Sequence, residues 1–141
     1  VMNKDFEQIS LKQGFMKHNG GVLFKTISEN EYHFKTTIKE NHLNSAGITH
    51  GGFIAALVDA GAGTAAHRSA DKSPCVTISL ELKFISAVKL GQELFGVTKI
   101  QKKTKSMVFL TCEMTVENKI VATASGVWKI LKKLPGAGPG G

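Results

Sequence analysis

One carboxylate stands in the middle of an apolar stretch. From Gly51 to Ala66 every residue is Gly, Ala, Val, Leu, Ile, Phe or Thr, except Asp59. Burying an unpaired charge costs several kcal/mol unless the group is paired or neutralised. A charge retained there points to a task, and a carboxylate in a cleft can serve as general base or nucleophile. The same spacing also admits an Asp that faces solvent or bonds to a neighbouring backbone group. Just upstream, His50-Gly51-Gly52 opens the run. The first-turn amides of a helix have no partner within the helix and carry partial positive charge, so they can hold an oxyanion. Glycines there let a substrate carbonyl approach the backbone. A Gly-Gly pair is equally a common turn, and His50 equally a helix cap or packing residue.

Other chemistries lack their patterns. No GxxxxGK[ST] phosphate loop and no GxGxxG fingerprint occur. His18, His33, His42 and His67 show no HExxH or other metal-pair spacing, so no metal or cofactor is expected.

The elements that position these residues follow from periodicity. Residues 4–17 set Phe6, Ile9 and Phe15 among Glu7, Gln8 and Lys12, which predicts a short amphipathic helix ending near Asn19-Gly20-Gly21. Val22–Ile27 and Tyr32–Ile38 flank Ser28-Glu29-Asn30-Glu31 and predict a hairpin. A polar loop covers 39–50. A helix runs from about Gly51 to about Arg68, with Thr49 as candidate N-cap. Gly61 and Gly63 inside it each cost about 1 kcal/mol against Ala, which suits a helix laid tightly on a sheet. Four strands follow, at Val76–Phe84, Leu94–Lys102, Met107–Val116 and Ile120–Leu131. The first alternates Val76, Ile78, Leu80, Leu82 and Phe84 against Thr77, Ser79, Glu81 and Lys83. Glu117-Asn118-Lys119 is the turn between the last two. The order implies an α+β domain over 1–134, an antiparallel six-stranded sheet wrapped round one long helix. One helix covers one sheet face, so a second subunit is expected on the other. The 135–141 tail, rich in Pro and Gly, is expected to be disordered.

The chain has 141 residues, 42% hydrophobic and 21% charged, which fits one globular domain and argues against disorder or a membrane span. Val1 reads as an expression remnant before Met2, and no apolar segment follows to make a secretory signal. Cys75 and Cys112 lie far apart and read as free thiols in a reducing, cytoplasmic setting. The net charge of +7 permits a phosphorylated partner. The lysines are spread along the chain, which does not suggest nucleic-acid binding, and the Lys99, Lys102, Lys103, Lys105 cluster reads as a solvated turn or an anion site.

The run Asn44, Gly47, His50-Gly51-Gly52, Asp59, Thr77, followed by Phe84-Ile-Ser-Ala-Val-Lys-Leu-Gly91, resembles the hotdog-fold acyl-CoA thioesterases. It looks most like their PaaI-like and thioesterase superfamily member 2-like group, whose pattern N-x-x-G-x-x-H-G-G with a following Asp it matches in place. The resemblance spans about residues 4–132. It implies hydrolysis of acyl-CoA thioesters without a metal, in dimers or tetramers with sites at the dimer interface. Position by position it implies Asp59 as nucleophile or general base and the Gly51 amide as polariser of the thioester carbonyl. Asn44 would place water, His50 would support the network near the leaving thiol, and Thr77 would orient water or carboxylate. Gly52, Phe53, Ile54 and Leu57 would line the substrate site, with Lys83, Lys102, Lys103 or Lys105 on the CoA phosphates. Ala87 stands where relatives often have Pro. The rise along a helix puts Gly51 and Asp59 about 12 Å apart, so a site using both takes them from two chains. A non-catalytic acyl-CoA binding or sensing module is the alternative on the same fold. A hotdog dehydratase is disfavoured because its His-Phe-x-x-x-Pro-x-x-Pro-Gly stretch is absent. The acyl group is left open.

Overall fold

The computed structural model describes residues 5–132. The expectations for the first residues and for the 135–141 tail lie outside them. Seven strands form one antiparallel sheet: β1 (Glu7–Gln8), β2 (Leu23–Thr26), β3 (Glu31–Thr37), β4 (Cys75–Phe84), β5 (Glu93–Lys103), β6 (Met107–Val116) and β7 (Lys119–Ile130). Their order across the sheet is β1-β2-β3-β5-β6-β7-β4. A single-turn helix α1 (Phe15–His18) precedes β2, and the long helix α2 (Gly51–Ser69) lies against β3 to β7. This is the hotdog arrangement, with a seventh, two-residue strand added.

The core sits between α2 and the concave face of the sheet. Phe34, Leu57, Val58, Leu94, Leu110, Met114 and Trp128 are all buried in it. Gly61 explains how close helix and sheet come. A Cβ there would stand 2.5 Å from the Phe34 ring, so only glycine lets the helix rest on that ring. The turn after β6 is also as read, with Glu117 and Asn118 at φ 49° and 68°.

Two expectations are corrected. The N-terminal segment is not a helix over 4–17. Glu7 and Gln8 pair with Phe24 and Leu23, and the Gln8 side-chain oxygen accepts from the Val22 and Ser10 amides. Phe6 packs edge-on to Phe95, with the Lys35 ammonium 4.3 Å from its ring centroid. Partners far along the chain outweigh a local helical spacing. The Gly20-Gly21 stop is as read, with both residues at positive φ.

The second correction concerns β4. Its pairing with β7 shifts register between Thr77 and Ser79, leaving Ile78 as a bulge. A bulge inverts the alternation beyond it. Thr77 therefore points to α2, as do Leu80 and Leu82 further on, which pack against the core. Val76, Ile78 and Phe84 are exposed on this edge strand.

Candidate active site

The start of α2 is built by its cap. His50, not Thr49, is the N-cap, and its Nδ1 accepts from the Gly52 amide at 2.8 Å. With Nδ1 accepting, the ring proton sits on Nε2, which points this donor away from the helix. The His50 carbonyl takes the Phe53 and Ile54 amides at 2.9 and 3.3 Å. Among the described residues the Gly51 amide has no protein acceptor. A Cβ on Gly51 would meet the exposed Phe84 ring at 3.5 Å, so the amide is flanked by an aromatic edge. Thr49 is instead buried, and both its amide and its hydroxyl donate to the Val88 carbonyl.

Asp59 lies two turns further on, on the open side of α2 and half-buried. Of the two environments that its spacing admits, the structure gives the partly open one, with a side-chain partner rather than a backbone one. The Thr77 hydroxyl donates to its Oδ1 at 2.7 Å. Asp59 and Thr77 line a groove of about 710 Å³ that runs along the C-terminal half of α2, with residues 7–13 as its opposite wall. Gly51 and His50 are at the other end of the helix and do not line it.

The Asn44 side-chain oxygen accepts from the Ala46 and Ile48 amides at 2.9 and 3.3 Å. It shapes the loop that leads into α2, and its amide nitrogen takes no part in that turn. Phe53, Ile54 and Leu57 are buried in the core and line no part of the groove. In the single chain they pack in the core between α2 and the sheet rather than along this groove. Gly52 is exposed at the helix start. Lys83 is exposed and pairs with Glu81 at 3.8 Å. Lys103 donates to the Ser69 carbonyl at 2.7 Å and so caps the C-terminus of α2.

One positioning residue was missed. His42 is 2% exposed, and its ring stacks on Phe53 at 3.8 Å. Its Nδ1 accepts from the Lys39 amide, its Nε2 donates to the Asn19 carbonyl at 2.6 Å, and its carbonyl takes the His50 amide. It ties α1, the 39–50 loop and the start of α2 together. Nothing in its sequence neighbourhood marks it. Among the described residues no group of three or more His, Cys, Asp or Glu side chains is placed to hold a metal ion. No helix there is long and apolar enough to cross a membrane.

The model of the thioesterase superfamily matches residues 46–123, more than half of the chain and the whole stretch from the loop before α2 into β7. The chain belongs to the thioesterase superfamily. Among relatives, a Pseudomonas aeruginosa protein provisionally assigned as an esterase is 34% identical over 94 residues, 66% of this chain and 70% of its own. Mouse acyl-coenzyme A thioesterase 13 is 30% identical over 78 residues, 55% of this chain and 56% of its own. The match to the mouse protein thus spans little more than half of either chain. The zebrafish thioesterase superfamily member 2 structure shares the fold, with TM-score 0.78, 22% identity, and 86% and 90% of the two chains covered. In this superfamily member, both Gly51 and Asp59 fall within the matched segment.

Proposed function

We propose that this chain hydrolyses acyl-CoA thioesters as a dimer whose sites combine Gly51 of one protomer with Asp59 of the other. The observation that carries the proposal is the unpartnered Gly51 amide on the same helix as an accessible carboxylate, about 12 Å away along the axis. Superfamily membership and the name of the mouse relative support the substrate class. The exposed β4 edge, with Val76, Ile78 and Phe84 uncovered, supports pairing with a second copy.

In this reading the thioester carbonyl oxygen rests on the Gly51 amide. Thr77 holds Oδ1 of Asp59, leaving Oδ2 to take a proton from water as that water attacks the carbonyl carbon. The tetrahedral oxyanion is held by the same amide, and its collapse expels the CoA thiolate, which recovers the proton. Alternatively Oδ2 attacks directly and water cleaves the mixed anhydride. In this reading Asn44 through its amide nitrogen and His50 through Nε2–H serve as donors to water and leaving group. No metal or cofactor takes part.

The experiment is release of free CoA thiol from acyl-CoA, compared with Asp59→Asn. Asn keeps an acceptor for Thr77 and removes basicity and charge. The expected loss in kcat is at least about 10²-fold, with an unchanged melting temperature. Steady turnover by the variant would remove Asp59 from the mechanism. Tight binding of acyl-CoA with no thiol release by the wild type would favour a binding module instead.

A further inference from the structure

We infer that Trp128 is a specificity residue of the groove beside Asp59, its indole N–H selecting an acyl chain that carries an oxo group in mid-chain. The inference rests on the thioesterase reading above and names its substrate class. Trp128 is 1% exposed. A buried indole N–H ordinarily finds an acceptor. Among the described residues Nε1 of Trp128 has none. Nor is it sealed in, because the one side-chain nitrogen or oxygen there that is both closed to solvent and unpartnered is Oγ1 of Thr98. Trp128 lines the groove, so this donor opens onto it.

Its place beside the carboxylate is fixed from two sides. Thr77 and Trp128 are direct partners in the β4–β7 ladder, which puts their side chains on one face with Cβ atoms about 5 Å apart. Thr77 is the residue that holds Asp59. On the helix, Gly63 is one turn beyond Asp59, about 6 Å along the axis. A Cβ on Gly63 would stand 3.3 Å from Nε1, the nearest atom it would meet. Glycine therefore leaves uncovered the edge of the ring that bears the proton. On the far edge a Cβ on Gly126 would stand 2.5 Å from Cζ3, so the six-membered ring is packed tightly on β7 and the nitrogen faces α2.

The surroundings choose the oxygen. Ala60, Cys75 and Val76 line the same groove and have no side-chain oxygen. Thr64 gives its hydroxyl proton to the Ala60 carbonyl at 2.8 Å. Such a wall suits hydrocarbon with one accepting atom opposite Nε1. An oxo group needs only a donor. A hydroxyl or a pantetheine amide brings a proton that needs an acceptor as well, and leaving it unpaired is costly. A plain alkyl chain would cover the indole N–H and leave it without a partner. An extended hydrocarbon advances about 1.3 Å per carbon, given C–C bonds of about 1.5 Å. The turn from Asp59 to Gly63 thus sets the oxo group roughly four or five carbons from the thioester carbon.

The test compares decanoyl-CoA with oxodecanoyl-CoA thioesters whose ketone stands at carbon 4, 5, 6 or 7. Trp128 is the single Trp of the chain. Biosynthetic replacement of Trp by benzothienylalanine, a ring of the same shape with sulfur in place of N–H, therefore removes this one donor and keeps the packing. The wild type should prefer one of the ketones over decanoyl-CoA in kcat/KM, and the sulfur replacement should lower that ratio by about fivefold, the scale of one neutral hydrogen bond. Gly63→Ala, which sets a methyl group against Nε1 and favours the helix, should lower the same ratio. A wild type that prefers none of the ketones, or a ratio unmoved by the sulfur replacement, overturns the inference. Equal losses on ketone and decanoyl-CoA leave the ratio unmoved and would assign the N–H to the pantetheine arm. Absence of thiol release from every thioester would overturn the hydrolase reading instead. In that case titration of the wild type with the intact thioesters, followed by Trp128 fluorescence, still reads the preference. Equal affinities for decanoyl-CoA and all four ketones there would overturn the role of Trp128 on its own.

Discussion

At the scale of single residues, the amide of Gly51 can be removed without removing the helix. Gly51 is the first residue of α2, where proline is tolerated because its missing N–H has no helical partner. The preceding His50 has φ −62° and ψ 130°, the extended conformation that a following proline requires. Gly51→Pro therefore deletes one donor and keeps the element. Gly51→Ala keeps the donor and adds a methyl group at ordinary contact distance from Phe84. The expected outcome is a fall in kcat of about 10²- to 10³-fold for Gly51→Pro, the scale of one oxyanion donor, with far less change for Gly51→Ala. Matching activities of the two variants would dismiss the oxyanion role. The thiols behave oppositely. Burial pushes the Cys75 thiol up, and Cys112 up to about 12. Thiolate is the reactive form, so alkylation of the native protein should be slow at neutral pH and should still be climbing above the ordinary thiol range near 8.5. Because the unfolded chain loses these protons first, stability should decline as pH rises beyond that range. Mass spectrometry after timed alkylation at several pH values checks the first point; rapid labelling of Cys112 in folded protein contradicts it.

At the scale of elements, His42 decides how α2 begins. Truncation to Ala strands the Asn19 carbonyl and the Lys39 amide and removes the stack on Phe53. Losing two partly buried hydrogen bonds and an aromatic contact should cost about 3 kcal/mol, read as a lower urea midpoint with unchanged slope. A variant as stable as wild type would mean that the 39–50 loop holds itself. Sequence periodicity reached α2, β6 and both tight turns, because their signals are local: an apolar run with a polar opening, strict alternation, residues suited to positive φ. It did not reach the elements fixed by distant partners. Gln8 is a strand residue because of Val22, and Phe6 is anchored by Phe95 and Lys35. The bulge at Ile78 is likewise silent in an alternating pattern, yet it turns Thr77 toward Asp59. The motif residues Gly51, Asp59 and Thr77 were legible as candidates. The burial of Phe53 and Leu57 against the sheet was not legible, because apolar residues recur on most sides of α2 and do not reveal which face the sheet will cover.

At the scale of the whole molecule, one chain holds the two halves of the proposed site at separate places. Thr77 accompanies Asp59 at one end of β4, and Phe84 flanks Gly51 at the other. Helix and strand run antiparallel past each other, so a two-fold axis near the middle of the exposed β4 edge would bring the Gly51 end of one protomer to the Asp59 end of its partner. Such a closed, self-complementary pairing is the commonest way for identical chains to associate. It also covers Val76, Ile78 and Phe84, which are exposed in the single chain. The arrangement makes a prediction that no single-chain site can satisfy. Gly51→Pro and Asp59→Asn are each expected to be inactive alone. In a mixed dimer, the Asp59→Asn protomer supplies an intact Gly51 to the Asp59 of the Gly51→Pro protomer, which restores one site and leaves the other doubly impaired. Random exchange of equal amounts makes half of the dimers mixed, so the mixture should recover about a quarter of wild-type activity. Subunit exchange is followed with two affinity tags, and thiol release is measured on the doubly tagged fraction. A doubly tagged dimer with no more activity than either parent would place Gly51 and Asp59 outside any common site.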